Sequence, residues 1–250
     1  MKTQFQGKPL IDVKGIPQVD LLQGEYGREV LGEYLEIVNS DYGANSALHV
    51  FRYNKKTGTI EGSNSYAVAL LNQRVLKPQG IRTASFIDLE KIIGVNRDDL
   101  QLRGTYEDVA LVLRSESDPN SYLAKNLMEQ VEARNPKQKF PVMINLYDIS
   151  LEKDADAPKG LTFVLNGDAS IIYAPVLEGK NSSKNFSSLD ENGLPILDKN
   201  ASRILYTNDS GLSEAYLYWD LVFGSHCEYL ASSGSFGRVV FVAEGDAKPF

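Results

Sequence analysis

The order in which apolar patterns occur along the chain constrains its fold more than any other feature. The first apolar pattern has helical spacing and predicts a helix over residues 28–39 that would end near Gly43. Five apolar side chains lie on one face of this helix: Val30, Leu31, Tyr34, Leu35 and Val38. Apolar runs of strand length, bounded by Gly, Pro or Asp, are concentrated later in the chain. Helices followed by clustered strands indicate an α+β protein and not a regular βαβ repeat.

Turn and capping residues place the remaining predicted elements. The turn at 54–58 separates residues 47–53 from 59–61, which predicts a hairpin and makes His49 a strand residue rather than a catalytic base. Capping and stop signals predict three more helices: 66–76 capped by Ser65, 86–93 capped by Thr83 or Ser85, and one from Asp118 and Pro119 to Arg134. Five apolar runs predict strands: 109–114, 140–146, 161–165, 170–176 and 238–242. The polar residues 178–202 are predicted to form a long loop.

Composition excludes several classes of protein. A chain of 250 residues is long enough for a large core, and we predict a single domain over 1–250 with an N-terminal extension over 1–27. One cysteine and two histidines cannot supply a disulfide framework or a structural zinc site with four ligands. A formal charge of −7 with dispersed basic residues argues against nucleic acid as a partner. We also expect no signal peptide and no membrane insertion, because no run approaches the roughly 20 apolar residues of a membrane span.

Residues 213–236 have the composition of a binding surface. They contain the only tryptophan and the only cysteine of the chain, together with three tyrosines and two phenylalanines among Ser, Gly and Ala. No lysine or arginine occurs between Arg203 and Arg238. Tyr and Trp provide stiff contact area, and Ser and Gly provide adaptable hydrogen bonding. The alternative is an ordinary half-buried strand pair at the end of an antiparallel sheet. Residues 224–229 lack strand propensity, however, and are predicted to form a loop.

Motifs for catalysis or metal binding are weak. The chain has no glycine-rich phosphate loop, no nucleophile elbow and no histidine pair at helical spacing. His226 and Cys227 place a base beside a thiol, yet neighbours in a strand point to opposite faces. Six oxygen-rich or turn residues could suit calcium, but their spacing completes no known calcium loop and favours a solvated turn: Asp190, Glu191, Asn192, Gly193, Asp198 and Asn200.

Six segments carry a family resemblance: QRVLKPQGIRTASFIDLEKI (73–92), RGTYEDVALVLRSESDPNSYLAKNL (103–127), IIYAPVL (171–177), DENGLP (190–195), ILYTNDSGLS (204–213) and LASSGSFGRVVFV (230–242). Together they look like a set of archaeal and archaeal-virus proteins that resemble the variable proteins of diversity-generating retroelements. The resemblance implies a C-type-lectin-like fold with an antiparallel sheet and two or three short helices. It also implies a C-terminal variable region over 212–242 that forms a solvent-exposed ligand-binding surface.

The genetic code agrees with this resemblance. In that family a reverse transcriptase rewrites template adenines, and asparagine codons changed in this way reach Tyr, Ser, Gly, Asp, His, Cys, Phe, Val and Ala, but neither Trp nor Glu. The chain has no asparagine after Asn208. The predicted ligand-binding residues are Tyr216, Tyr218, Trp219, Asp220, Val222, Gly224, Ser225, His226, Cys227, Glu228, Tyr229, Ser232, Gly234, Ser235 and Phe236. Trp219, Glu228 and also Glu214 lie outside the reachable set, so they are fixed or derive from other codons.

The resemblance further implies fixed scaffold positions between the variable ones: Leu212, Leu221, Leu230, Ala231, Ser233, Gly237 and Arg238. Leucines suit inward packing, Gly237 an unusual backbone angle and Arg238 fixed hydrogen bonds. We therefore predict a non-enzymatic protein that binds a protein or glycan ligand, needs no cofactor and resides in a virion or in the cytoplasm. Two alternatives stay open: a thiol enzyme of the formylglycine-generating type of the same fold, with Cys227 as its reactive group, and a structural subunit of a virion.

Overall fold

The computed structural model describes residues 4–5, 8–9, 11–13, 16–43, 45–95, 104–180, 182–218 and 222–243. These residues contain four α-helices: α1 (Gly24–Tyr42), α2 (Ser65–Leu71), α3 (Phe86–Val95) and α4 (Ser121–Arg134). A π-helix at Asn72–Leu76 continues α2. Short 3-10 turns follow at four places: Lys77–Gln79, Leu146–Asp148, Pro158–Gly160 and Pro175–Leu177.

The same residues contain eighteen strands: β1 (Gln4–Phe5), β2 (Lys8–Pro9), β3 (Ile11–Val13), β4 (Ile16–Leu21), β5 (Arg52–Tyr53), β6 (Ile60–Glu61), β7 (Ile81–Thr83), β8 (Tyr106–Leu113), β9 (Val142–Asn145), β10 (Ile149–Lys153), β11 (Leu161–Leu165), β12 (Ile172–Tyr173), β13 (Ser182–Leu189), β14 (Pro195–Leu197), β15 (Arg203–Thr207), β16 (Leu212–Tyr218), β17 (Val222–Cys227) and β18 (Val240–Ala243).

The largest sheet has eight strands in the order β12-β9-β8-β16-β17-β15-β13-β14. Its pairs are antiparallel except β15 with β17, which run parallel. A second sheet has the order β3-β4-β18-β7, and the other strands form two-stranded pairs: β1 with β2, β5 with β6 and β10 with β11. The antiparallel-rich sheet and the helices confirm the predicted α+β class. The described residues contain the four helices that spacing and capping predicted, one more than the two or three short helices that the resemblance implied, and α1 alone spans 19 residues.

The eight-stranded sheet carries an apolar core on each face. Leu111 and Leu113 of β8 pack with α1, α2 and α4, whereas Ala110 and Val112 pack in a second core with α3. This division follows from the alternation of side chains along a strand. Because both faces are covered, β8 has apolar residues at consecutive positions, which explains the unbroken run that predicted it.

Two helices confirm the sequence patterns and refine their ends. Val30, Tyr34 and Val38 form the buried face of α1, and Gly43 ends the helix in the left-handed conformation with a φ of 57°. The cap of α2 is Asn64 and not Ser65, because the Asn64 side chain accepts a hydrogen bond from the Ala67 amide at 2.7 Å.

The other two helices also keep their predicted places. Ser85 caps α3 as expected, since its hydroxyl accepts from the Asp88 amide while Asp88 accepts from the Ser85 amide. α4 begins at Ser121, with Asn120 as its cap, and therefore starts beyond the predicted Asp118 and Pro119.

Two predictions of local structure are wrong. His49 lies in a turn over 46–50, and only Arg52–Tyr53 and Ile60–Glu61 pair as strands of the hairpin. The polar segment 178–202 is not one long loop, because it contains β13 and β14. The side chains of β13 are exposed or half-buried except that of Phe186, which is buried against the second core. Backbone pairing with β14 and β15 thus stabilises a strand that has almost no apolar pattern.

Part of the predicted N-terminal extension belongs to the folded body. β4 pairs with β18 in antiparallel register, and Leu21 and Leu22 are buried. α1 then begins at Gly24, so residues 16–27 contribute to a sheet and to a helix. None of the described helices combines the length and the apolar character that crossing a bilayer requires.

Candidate ligand-binding surface

β16 and β17 carry the first half of the predicted binding residues and lie inside the eight-stranded sheet. β16 pairs with β8 and β17, and β17 pairs with β16 and β15. The expectation of a loop at 224–229 is therefore wrong for residues 224–227, which belong to β17. Hydrogen-bonding partners on both sides compensate for the low strand propensity of Gly, Ser, His and Cys. The strand pair of the alternative interpretation is present, but it is central and not at the end of the sheet.

Five aromatic rings from four strands of this sheet form a continuous group, which we call the aromatic row: Tyr218, Tyr106, Tyr216, His226 and Tyr206. Successive ring centroids lie 5.4 to 6.4 Å apart. This spacing lies within the range of about 4.5–7 Å at which aromatic rings attract one another. His226 and Tyr206 are exposed and the other three residues are half-buried, so the aromatic row is partly open to solvent.

Buried hydrogen bonds fix the strands beneath the aromatic row. Arg114, at the end of β8, donates from its guanidinium to the Leu177 carbonyl, to the Ser213 hydroxyl at 2.7 Å and to the Ser225 carbonyl at 2.7 Å. Burial lowers the pKa of Arg114 to about 10. The Ser225 hydroxyl in turn donates to the Tyr206 carbonyl at 3.1 Å. One guanidinium therefore links β8, β16 and β17 to the 3-10 turn at 175–177.

Gly224 and Ser225 were predicted to contact ligand, but both are buried. Ser225 has an exposed fraction of 0 % and its hydroxyl is used within the sheet. A Cβ atom at Gly224 would lie 2.3 Å from the Tyr216 ring. In this conformation both residues support the surface and neither forms it, whereas Tyr216, Tyr218, Val222, His226 and Cys227 keep some exposure.

A buried group of carboxyls lies at the start of the same strands. Glu214 accepts a hydrogen bond from the Ser65 hydroxyl of α2 at 3.0 Å, and the neighbouring Asp108 carboxyl is buried without a hydrogen-bond partner among the described residues. Burial, then the neighbouring Asp108, raises the pKa of Glu214 well above its ordinary range. Burial also raises the pKa of Asp108 and brings the pKa of Glu107 to about 8. With a pKa of about 8, Glu107 is mostly protonated at pH 7, which lowers the cost of burying it.

His226 and Cys227 do not form a catalytic pair in this structure. Burial raises the pKa of the Cys227 thiol, and burial, followed by the charge of Arg114, lowers the pKa of His226. No hydrogen bond joins the two side chains, both of which the structure describes. A neutral thiol is a poor nucleophile. Within the described residues, no three His, Cys, Asp or Glu side chains are placed to hold a metal ion.

The second half of the predicted residues lies in a segment we call the display loop, residues 228–238. Its backbone is bound by residues near the start of α2. The Ser63 amide donates to the Ser233 hydroxyl at 2.9 Å, and the Asn64 side chain donates to the Ala231 carbonyl at 3.0 Å. Leu230, with an exposed fraction of 3 %, packs into the first core. The polar cap residue of α2 therefore also positions the display loop.

Tyr106 of β8 holds the far end of the display loop. Its hydroxyl accepts from the Gly234 amide at 2.7 Å, its amide donates to the Phe236 carbonyl, and its carbonyl accepts from the Arg238 amide. The Arg238 guanidinium donates to the carbonyls of Ser235 and Gly237, both at 2.8 Å. The display loop thus has a fixed backbone conformation before any ligand binds.

Gly237 is required for a different reason from the one expected. Its φ is not in the left-handed region, so no unusual backbone angle is involved. A Cβ atom at this position would instead lie 2.7 Å from the backbone nitrogen of Ser63. Gly237 therefore allows two backbone segments to approach each other, as the hydrogen bond from the Gly62 amide to the Gly237 carbonyl shows.

The display loop presents its remaining side chains to solvent. Tyr229 has an exposed fraction of 75 % and Phe236 one of 58 %, and Glu228, Ser232, Gly234 and Ser235 are also exposed. Beside Tyr229 lies a groove of about 360 Å³. We call it the loop groove; its lining includes Glu228, Tyr229 and Ser232 of the display loop and Tyr66, Asn120 and Lys159 of the body. Trp219, Asp220 and the scaffold residue Leu221 lie outside the described residues.

Sequence reasoning missed the surface residues that lie far from the display loop in the chain. Tyr106 and Tyr206 belong to the aromatic row, and Tyr66, Asn120 and Lys159 line the loop groove. Tyr106 and Tyr206 lie in strands, and only the register between those strands shows which rings lie beside them. Tyr66 lies in a helix that the sequence predicts, and no sequence motif indicates a function for it. Comparison of the chain with protein-family models, curated proteins and solved structures finds no match.

Proposed function

We propose that this protein is a non-enzymatic recognition protein whose C-terminal region binds a macromolecular ligand, a protein or a glycan. We further propose that its body is of the C-type-lectin type and that a retroelement diversifies residues 212–242. The aromatic row and the display loop together form the binding surface. Tyr229 and Phe236 are the exposed aromatic anchors, and the serines and glycines around them make adaptable contacts.

A single observation carries this proposal: a few residues anchor the display loop, while most of its side chains stay exposed to solvent. Leu230, Ser233, Gly237 and Arg238 pack or bind to fixed parts of the body, whereas Tyr229, Ser232, Ser235 and Phe236 contribute little to its support. A surface that accepts many side chains needs this arrangement, because the body must be stable whatever stands at the variable positions. Tyr229, Ser232, Ser235 and Phe236 are residue types that adenine-directed changes of an asparagine codon can reach, whereas the exposed Glu228 is not.

The thiol-enzyme alternative receives less support. Its reactive group would be Cys227, and the burial that raises the pKa of this thiol is opposite to what a nucleophilic cysteine needs. For the alternative of a virion subunit, no feature described above favours a neighbouring subunit over another ligand.

The proposal is tested by sequencing the locus in several isolates. We expect a nearby reverse-transcriptase gene and a near-copy of codons 212–242 that differs from the gene where the copy has adenine. Codons for the exposed residues Tyr229, Ser232 and Phe236 should vary, and those for Leu230, Gly237 and Arg238 should not. Codons for Tyr122 and Tyr173, which are exposed elsewhere on the protein, are the internal control and should stay constant.

Two results would refute the proposal. One is the absence of any near-copy of these codons from the locus. The other is variation that is spread evenly over Leu230, Gly237 and the exposed residues, since the structure does not accommodate free substitution at the two anchoring positions.

A further inference from the structure

The loop groove combines residues from the variable region with residues from the fixed body. Glu228 and Tyr229 come from the display loop, whereas Tyr66, Asn120 and Lys159 lie outside residues 212–242. A volume of about 360 Å³ is suited to a ligand of one or two rings. The fixed side of the groove would select one chemical feature in every ligand, whatever the display loop contributes.

Four polar groups that line the loop groove have unused hydrogen-bonding capacity. The Tyr66 hydroxyl and the Lys159 ammonium make no hydrogen bond within the described residues, although Tyr66 has an exposed fraction of only 2 %. Asn120 uses its NH₂ group on the carbonyls of Leu212 and Glu228, which leaves its amide oxygen as an acceptor. Only one oxygen of Glu228 accepts a hydrogen bond, from Asn208.

The body fixes the Tyr66 ring and the backbone of Lys159. The Tyr66 ring stacks on Phe163 at a centroid distance of 4.7 Å, and burial raises the pKa of its hydroxyl to about 12, so that it remains a donor at neutral pH. The Lys159 carbonyl accepts a hydrogen bond from the Asn45 side chain at 2.7 Å, which fixes the backbone turn that carries its ammonium. The loop groove is therefore organised before a ligand arrives.

The chemistry of the groove distinguishes among classes of ligand. Apolar side chains of a protein partner would leave the four polar groups unpaired, at a cost of about 1–3 kcal/mol for each buried group. Addition of a peptide strand requires an open sheet edge, and loops, a 3-10 turn and α2 line this groove instead. An anion would meet the Glu228 carboxylate. Neighbouring hydroxyls of a sugar can both donate to Asn120 and Glu228 and accept from Lys159 and Tyr66, while a sugar ring can pack on the exposed face of Tyr229.

We propose that the loop groove binds a neutral glycan of one or two sugar rings, with Tyr66, Asn120 and Lys159 as fixed contacts and Tyr229 as the stacking platform. This inference rests on the proposed function, because it places the display loop in contact with ligand. It adds that the fixed body reads a shared glycan feature, and that the variable residues around it select among glycans that carry this feature.

The experiment is saturation-transfer NMR and calorimetry on the full chain with four neutral disaccharides: maltose, cellobiose, lactose and N,N′-diacetylchitobiose. We expect at least one of them to bind at millimolar concentration. Tyr66→Phe removes only a hydroxyl that has no protein partner, so the fold should be unchanged while the Kd rises by about tenfold. Tyr229→Ala should raise the Kd by at least about tenfold. Tyr173→Phe and Tyr173→Ala, at an exposed tyrosine of β12, are matched controls and should leave the Kd unchanged.

The inference is overturned if none of the four disaccharides binds at millimolar concentration. It is equally overturned if Tyr66→Phe and Tyr229→Ala bind as tightly as the unmodified chain. Its failure is separable from failure of the proposed function: varied codons without disaccharide binding would remove only the glycan groove, and binding without varied codons would remove only the diversification.

Discussion

At the scale of single residues, Gly224 and Tyr216 restrict each other. They are directly opposed in β17 and β16, and a Cβ atom at position 224 would lie 2.3 Å from the Tyr216 ring. The Tyr216 ring can remain over the sheet and within the aromatic row because residue 224 has no side chain. Packing therefore couples the residue types that positions 216 and 224 can accept.

We expect Gly224→Ala to lower the free energy of unfolding by about 1–3 kcal/mol, because the added methyl group displaces the Tyr216 ring. In a Tyr216→Ala background the same change should cost much less, since the obstructing ring is gone. Urea denaturation of the two single variants and the double variant measures the coupling. Additive effects would show that the ring moves aside freely. In natural variants, a residue other than glycine at 224 should accompany a small residue at 216.

At the scale of elements, the display loop is held both by residues at the start of α2 and by β8 of the large sheet. Its anchors are Ser63 and Asn64, which precede and cap α2, and Tyr106 at the start of β8. A loop bound at both ends to buried elements loses little conformational entropy on binding, so more of the contact energy appears as affinity.

Ser233 and Ser235 provide a matched test of this anchoring. Ser233→Ala removes the acceptor of the buried Ser63 amide and should lower the free energy of unfolding by about 1–2 kcal/mol. Ser235→Ala changes an exposed side chain in the same loop and should have almost no effect. Thermal and urea unfolding of both variants check the difference. Equal losses for the two variants would mean that the Ser63 contact does not hold the loop.

At the scale of the whole molecule, the buried carboxyls determine how stability depends on pH. Burial holds the pKa of Glu107 at about 8, against an ordinary value of 4.5, and raises the pKa values of Asp108 and Glu214 as well. Between these pH values the folded chain keeps a proton that the unfolded chain has lost. The retained proton contributes fully to the free energy of unfolding below the pKa that Glu107 has in the unfolded chain. This contribution is lost as the pH rises through the pKa that Glu107 has in the folded chain.

We therefore expect the free energy of unfolding to fall between about pH 5 and pH 8, with Glu107 contributing up to about 1.4 kcal/mol for each pH unit. Glu107→Gln replaces the protonated carboxyl with a neutral group of the same shape. It should therefore reduce the slope of the free energy of unfolding against pH and raise the Tm at pH 8. Glu132→Gln, on the exposed face of α4, is the control and should leave the slope unchanged. Calorimetric Tm values at several pH values decide the matter, and an unchanged slope in Glu107→Gln would show that Glu107 ionises normally.

Local sequence patterns predict the α+β class, the places of the four α-helices and the strands whose side chains carry an apolar run, such as β8 and β11. These features depend on local periodicity and capping, which are present in consecutive residues. β13 and β17 could not be predicted, because backbone pairing with neighbours stabilises them despite their polar side chains. Packing of distant segments brings Tyr106 and Tyr206 into the aromatic row, buries Ser225 on Arg114, and brings Tyr66 and Lys159 into the groove that Tyr229 also lines. The physical reason is that these contacts join residues distant in the chain, and strand register and packing, which no local pattern encodes, decide which of them meet.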